Sequence, residues 1–594
     1  MRTAKCLATV KSSRVPRTTI FVDTETRSPP RNQAGEHVFR LGWVCVRRER
    51  RGRKPTYAWT YLDHPDRFWA VLAATVRGKE HIYLLAHRII YDLWVLGGLS
   101  RFKWGGYRLA SNYANNRVVV LRFRRGDAAL IVLDTLNLFP GPLADWGKEI
   151  GLPKKKVDLW LDSDDKIRDY CHRDVEILVR LWEEYVAFVR RNRFGGTAVT
   201  VSSTAFRAFR HRLMAAPIYL HNRDKVLALE REAYYGGRVE CWRIGKLPKT
   251  RYTIHDVNSM YPWAMRTGLY PVRLLRTCRG CTPPELAHIL TAHAAVARVR
   301  VRVRDPLVPV RRDDRMIYPV GEFETVLAGP ELRLVLERGT VLAVPSVAVY
   351  ERGRPFTRYV DTLYRLRQRY TREGRALWAT MLKLMLNGLY GKFGQLSERW
   401  QTLPNTEHLV PGAYRFTGGG LKGVNYFICV GDELWVRTGT SESPNSFPAI
   451  AAYVTSYARV KLWEYIEAAG RDNVIYCDTD SLFTTPAGTR RLAPHVNPSV
   501  LGALKVEYTG LGGVISSPKD YRIGTKQRTK GVSSAATALG ANMYMDTHWP
   551  GFWGLLAAGR EAGYATGEVV KVLKRRYVKG TVQKDGRVIP LRLQ

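Results

Sequence analysis

Apolar and polar positions along this chain follow two rhythms. Short β-branched and aromatic runs that end in acids, glycine or proline read as strands. Ile20–Phe21–Val22 leads into Asp23–Thr24–Glu25–Thr26; His81 to His87, Thr253 to Pro262 and Val474 to Phe483 follow the same rule. The last of these breaks at Asp478–Thr479–Asp480, which predicts strand, tight turn and strand with acids presented at the turn. Side chains on a strand repeat every two residues, so Asp23 and Glu25 share a face. Helical spacing runs from Asp165 to Trp182, with Tyr170 and Asp174 on one face. It recurs from about Ala376 to Leu389, where Lys383, Asn387 and Tyr390 fall at i, i+4 and i+7. Val424 to Arg437 alternates around Gly431–Asp432 and predicts a hairpin. Interleaved strands and helices over 594 residues predict an α/β multidomain chain of three or more units.

Charge changes the picture most. A formal net charge of +41 suits a polyanionic partner, because Lys and Arg neutralise phosphates. The basic residues are spread throughout rather than gathered into one amphipathic patch, which favours nucleic acid over a membrane surface. No apolar run reaches the ~18 residues that span a bilayer. Eight cysteines, scattered from Cys6 to Cys477, form no disulfide framework and fit a reducing compartment. Cys278 and Cys281 precede His288 and His293, but the loop is short for zinc and the histidines diverge, so packing is the expectation. The first 22 residues hold Arg2, Lys5, Lys11, Arg14 and Arg17 and no acid. Such a composition fits an organellar transit peptide; the lack of an apolar helical face predicts a frayed basic N-terminus instead.

Asp478 and Asp480 repel unless a cation sits between them, and hard oxygen ligands suit Mg²⁺ or Mn²⁺. Three strings, Thr253 to Pro262, Lys383 to Lys392 and Tyr476 to Ser481, resemble in order motifs A, B and C of family B DNA polymerases. The resemblance implies that Asp256, the Val257 carbonyl and Asp478 hold two ions, with a weaker role for Asp480. It also makes Tyr261 the sugar gate, aims Lys383 at a triphosphate and sets Asn387 and Tyr390 at the incoming nucleotide. Arg369 is a further candidate phosphate contact. Met260 stands where the family has leucine, and Gly388 where it has serine. Glu232 to Arg238 resembles the Y-x-G-G linker, implicating Tyr234, Gly236 and Gly237 in DNA binding. Thr455 and Arg459 match T-x2-G/A-R, Lys519 and Tyr521 match K-x-Y, and Lys530 opens the thumb. The basic C-terminal residues Lys571, Lys574, Arg575 and Arg576 suit duplex backbone contacts.

The N-terminal third resembles 3′–5′ proofreading exonucleases of RNase H-like fold. Their Exo I, II and III motifs would place Asp23, Glu25, Asp92 and Asp174 around two more divalent ions, with Tyr170 orienting water. Thr26, Arg88, Thr135 and Leu136 would hold the single-stranded 3′ end, and Lys156–Val157–Asp158–Leu159 resembles the K-x2-h element whose lysine supports excision. One departure is that Arg88 stands where the family has asparagine in Exo II.

The expected layout is a basic segment 1–22, an exonuclease domain 23–205, linker and palm 206–274, an insertion 275–350, fingers 351–395, a second insertion 396–447, palm 448–514 and thumb 515–594. By position the insertions match TPR1 and TPR2 of the protein-primed branch found in phages, adenoviruses and linear plasmids. That resemblance implies template and primer DNA, dNTPs and a terminal protein as partners. The chain is expected to be a monomer that avoids membranes and works in the cytoplasm of an infected or element-bearing cell, or in an organelle. A DNA-primed or primer-independent relative, and a binding protein without catalysis, stay open at this point.

Overall fold

The computed structural model describes residues 3–27, 37–50, 52–98, 101–102, 105–114, 118–405, 409, 412–416, 425–430, 433–533, 535–548 and 567–594. The apolar run ahead of Asp23 lies near the middle of a seven-stranded sheet. Strand Thr18–Arg27 pairs in parallel with His81–Ala86, which pairs in parallel with Ala128–Asp134. Strands Val38–Arg48 and Thr56–Leu62 extend one side, and Val119–Arg125 and Arg108–Ala114 the other. Residues 18 to 22 are all buried, as a strand covered on both faces requires. One cover is the helix Asp164–Arg191, which continues well past the expected Trp182 because Tyr185, Val186 and Val189 go on filling the same core.

A second seven-stranded sheet carries the other acids. It runs Val239–Cys241, Val474–Asp478, Ser481–Thr484, Gly245–Val257, Leu504–Ser517, Asp520–Ile523 and Lys526–Arg528. The last two strands fall where the thumb was expected; they pair edge to edge with the sheet that carries Asp256. Helix Pro448–Ala469 is apolar on nearly every side and is correspondingly buried among the elements around it.

Residues 270–353 supply most of a third seven-stranded sheet, built on Tyr270–Cys281, Thr340–Gly353, Ala294–Val303 and Val320–Ala328. Both ends of the chain join it. Lys5–Cys6 pairs with Tyr219–Leu220, and Arg592–Leu593 pairs with Val320–Gly321. The frayed N-terminus expected from the sequence is therefore corrected. Leu7 N donates to Ile218 O at 2.7 Å, Val10 N to Arg210 O at 3.2 Å, and Arg210 Nε to Ala8 O at 2.9 Å. Backbone groups make most of this docking, so side-chain periodicity carries no trace of it.

Residues 396–442 form a four-stranded antiparallel sheet of Leu396–Pro404, Glu433–Glu442, Asn425–Val430 and Gly412–Phe416. The expected hairpin is there as Asn425–Val430 paired with Glu433–Glu442. Val424 and its turn, Gly431–Asp432, lie outside the described residues. Ile428 and Trp435 of this hairpin pack into the core of the N-terminal sheet.

Candidate active sites

In the second sheet, Ser481 pairs with Asp478 on one side and Asp256 on the other, which sets the two carboxylates a strand apart at one end of the sheet. The turn between them is tight. Asp480 N donates to Asp478 O at 2.7 Å, Val257 N donates to Asp480 O at 2.7 Å, and Thr479 is left-handed at φ 63°. Thr479 N also donates to Arg238 O at 2.7 Å, which clamps the turn to the loop after Tyr234. A Cβ on Gly237 would lie 2.7 Å from Thr479 Cγ2, so glycine is needed there for close approach.

The neighbouring carboxylates in this cleft raise the cost of ionising Asp480. Asp480 is pushed up to about 6, first by burial and then by the charge of Asp256, against a lowering pull from Lys383. Two lysines meet the other acids: Lys505 Nζ lies 2.8 Å from Asp256 Oδ2, and Lys519 Nζ 3.1 Å from Asp478 Oδ1. Lys519 was expected here as the lysine of K-x-Y; Lys505 was not. Its register opposite Asp256 is set by strand pairing across about 250 residues of sequence, which no local pattern reveals. Tyr476 Oη donates to Asp478 Oδ2 at 3.2 Å and accepts from Lys519 N at 2.9 Å. Tyr521 packs on Tyr476 with ring centroids 5.6 Å apart.

Motif B lies on helix Ala376–Phe393, with Lys383 exposed and Asn387 half-buried. Tyr390 comes to Tyr261 with ring centroids 4.7 Å apart, so the expected gate and the expected base-pair contact form one aromatic wall. Burial pushes the Tyr261 hydroxyl up to about 12. Gly388 has a packing reason, since a Cβ there would lie 2.7 Å from Ser202 Oγ on the helix Val201–Ala208.

Several expected contacts are placed elsewhere. Arg459 is 3% exposed and bonded to Glu331 at 2.6 Å, with further bonds to the carbonyls of Tyr235 at 3.0 Å and Gly236 at 2.8 Å. Where a DNA contact was expected, the guanidinium holds the Tyr234–Gly237 loop. Thr455 is also buried, and its hydroxyl is spent on Ala451 and Ala452 carbonyls. Arg369 turns to Glu373 at 3.5 Å, whereas Arg367 reaches Ser259 Oγ at 3.3 Å beside the first acid strand. Tyr234 is half-buried and packs against Gly394. Lys530 is exposed. At the C-terminus, Lys571 pairs with Asp546 at 2.8 Å and Arg575 with Asp520 at 2.8 Å, so both charges are spent within the protein.

The N-terminal sheet gathers a second acidic cleft. Asp23 and Glu25 project from one strand, Asp92 from the helix Ile89–Val95 and Asp174 from the long helix. Thr24 pins Asp92 by donating from N at 3.0 Å and Oγ1 at 2.8 Å. Burial, then the charge of Asp174, pushes Asp23 up to about 7. Burial pushes Asp174 to about 6, and burial with acidic neighbours raises Glu25 and Asp92 strongly. Asp174 Oδ1 is buried with no hydrogen-bond partner. Four acids crowd this cleft, and hard divalent ions fit such a donor set. Cys171, which the sequence reading missed, lies in it. Asp23, Glu25 and Cys171 offer ligand atoms all within 4.8 Å of one another. Its place one residue after Tyr170 faces the strand, a direction that helical spacing alone could have flagged.

Among the described residues the one ammonium in contact with these acids is Lys154, paired with Asp174 and 4.5 Å from the centre of the Tyr170 ring. Lys156 was expected in that role. The run Lys154–Lys155–Lys156–Val157 satisfies K-x2-h two residues earlier, and the approach to Asp174 selects that frame. Thr135, expected at the single-stranded end, is enclosed. It is 1% exposed and held by His87 Nδ1 at 2.9 Å and Ala86 O at 3.1 Å, while Leu136 beside it is half-buried. Thr26 is buried with Oγ1 2.6 Å from Tyr91 Oη. Arg88 is exposed and left-handed at φ 69°, a conformation that asparagine accepts more readily.

The fold and the two clefts define a two-centre molecule: an exonuclease-type sheet joined to a right-hand body of palm, fingers and thumb. Its fold is that of Phi29 DNA polymerase. The complex of that enzyme with primer-template DNA covers 94% of this chain and 100% of its own at TM-score 0.62 and 15% identity. The family model for DNA polymerase type B, organellar and viral, matches residues 154–403. The DNA-directed DNA polymerase of Enterobacteria phage PRD1 is 26% identical over 398 residues, 66% of each chain. A "Probable DNA polymerase" of Neurospora intermedia is 22% identical over 396 residues, 62% of this chain and 38% of its own. The chain thus spans well under half the length of that fungal relative. Residues 154–403 are thus similar to the type B DNA polymerases of viruses and organelles.

Proposed function

We propose that the protein is a DNA-directed DNA polymerase with an attached 3′–5′ exonuclease, copying a viral or linear mobile genome. What carries this reading is the convergence of Asp256 and Asp478, on the strands either side of Ser481, with Asp480 in the turn between, and with Lys505 and Lys519 holding the charge that metals would otherwise balance. Two Mg²⁺ or Mn²⁺ ions would neutralise charge on the attacking 3′-oxygen and the departing pyrophosphate. Asp256, the Val257 carbonyl and Asp478 would hold them. Both lysines must then leave the carboxylates, and Lys519 is placed to meet the primer end instead. Lys383 is left for the triphosphate and Tyr261 for excluding a 2′-hydroxyl.

In the N-terminal cleft, Asp23, Glu25, Asp92 and Asp174 would hold two further ions, with Tyr170 and Lys154 ordering water and the scissile phosphate. The Phi29 enzyme forms a ternary complex with primer-template DNA and incoming nucleotide. Template, primer and dNTPs are accordingly the proposed partners. A terminal protein is the proposed primer, the chain acts as a monomer, and the cytoplasm of the infected or element-bearing cell is its proposed location.

The test is primer extension with Mg²⁺ by wild type and Asp478→Ala at equal protein. Extension that persists in the variant refutes the reading. Absence of extension in the wild type favours the non-catalytic binding protein. Adding labelled dNTP without a primer, with and without a terminal protein, separates protein priming from DNA-primed or primer-independent synthesis.

A further inference from the structure

The docked N-terminal segment forms one wall of a cavity of about 1130 Å³ that neither reacting centre uses. Lys11, Arg14 and Arg17 line it from the segment, and Arg50, Arg53 and Lys54 from the turn after strand Val38–Arg48. All six are exposed, and none has a carboxylate partner among the described residues. The one acid in the lining, Glu49, is already bound by Arg47 at 2.9 Å and Arg190 at 2.5 Å. Six cations without a carboxylate partner around one hollow repel each other, and a polyanionic guest relieves that repulsion where salt only screens it.

The hollow stands far from excision. Arg17 precedes strand Thr18–Arg27, so Asp23 lies about 20 Å further along at strand rise. Arg190 ends the helix that carries Asp174, about 24 Å away at helix rise. The wall is fixed in place by the backbone bonds of residues 7 to 10 to residues 210 and 218. Its lining offers cations, serine hydroxyls and a concave shape; Val15 and Pro16 are half-buried and buried, leaving no exposed apolar wedge for a lipid bilayer. A chain of phosphates fits this chemistry best.

We propose that the cavity between residues 11–17 and residues 49, 50 and 52–54 binds the phosphodiester backbone of a single nucleic-acid strand outside both reacting centres. The proposal rests on the polymerase reading only for the source of the strand, which is either unpaired template ahead of synthesis or the displaced strand. Binding there tethers DNA to the exonuclease domain while its 3′ end is elsewhere.

The experiment uses the full chain in EDTA, so that no catalysis intervenes, with a long fluorescent oligothymidylate as probe. Lys11→Glu/Arg14→Glu/Arg53→Glu/Lys54→Glu is compared with wild type and with the same four positions changed to Gln, all at matched melting temperature. Each lost phosphate contact removes about 0.7 from the slope of log affinity against log salt. Loss of roughly two to three in that slope, in both variants, is expected. An unchanged slope overturns the proposal, as does a loss of binding to anionic vesicles with the DNA slope intact. Photo-crosslinking of primed substrates carrying either a long template overhang or a downstream flap then assigns the source; no crosslink to peptides 11–17 or 50–54 from either arm also overturns it. Extension of a short primed template is expected to be unaffected by the Gln variant. If extension is missing from wild type while the slope change stands, the polymerase reading falls and the cavity assignment survives.

Discussion

Four carboxylates, one thiol and one lysine share the N-terminal cleft, and their mutual repulsion has a measurable consequence. Asp23 at about 7 and Asp174 at about 6 sit above the usual carboxylate value near 4, because burial favours the neutral acid in both and the charge of Asp174 adds to it at Asp23. A carboxyl raised in the folded state contributes stability that is complete below its unfolded pKa and is lost as pH rises through the folded one. The metal-free protein should therefore lose stability in this domain between about pH 4 and pH 7. A divalent ion should restore it at the upper end, so the rise in melting temperature on adding Mg²⁺ should be larger at pH 8 than at pH 5. Asp23→Asn/Asp174→Asn should flatten that difference; a larger rise at pH 5 would contradict the account. The same cleft separates two lysines two positions apart. Lys154→Ala should cut excision of a labelled 3′ end by roughly tenfold or more, in the range of a lost charge-stabilising group, with primer extension retained. Lys156→Ala should stay near wild type, and the reverse ranking would restore Lys156 to the site.

At the scale of elements, what was legible in the sequence depended on whether the signal was local. The strand bearing Asp23 and Glu25, the turn bearing Asp478 and Asp480 and the helix bearing Lys383 all announce themselves by period and punctuation, and the structure has each of them. The lysine run fits the K-x2-h pattern at two offsets, and only the approach to Asp174 decides between them. Arg459 fits its motif as a residue type, but its partner Glu331 is 128 residues upstream and nothing local points to it. That pair ties helix Pro448–Ala469 to helix Gly329–Arg338 and to the loop under the Asp478 turn. Removing one partner of a buried pair costs about 3–5 kcal/mol, because the other charge stays buried alone. Arg459→Ala should show that loss in urea unfolding, and Glu331→Gln in the same background should recover part of it. A cost below about 1 kcal/mol would mean that Arg459 is free to meet DNA after all.

Over the whole molecule, the sheet within residues 396–442 does more than extend the body that carries the Asp256 cleft. Its strand Leu396–Pro404 leaves the helix that carries Lys383, while Ile428 and Trp435 near its far end pack with the core of the exonuclease sheet, where Arg108 also comes within 3.9 Å of Glu433. The body, this sheet and the exonuclease domain thereby close on one another. Encirclement holds DNA without tighter contacts, so a protein closed in this way should stay on its template at moderate salt even as first binding weakens. Deleting residues 424–437, with a short glycine-serine bridge, opens the closure at its contact with the exonuclease domain. Products made at single-hit enzyme levels should then shorten, and synthesis should stall where a duplex lies ahead. Filling of a single-stranded gap should continue, since none of the acids or lysines in the polymerase cleft lies in the deleted stretch. Displacement synthesis that survives the deletion would reduce the sheet to a surface ornament and would remove the structural argument for processive copying without a clamp. Loss of gap filling as well would instead indicate that the deletion had unseated the Lys383 helix, which a melting curve on the same protein would reveal.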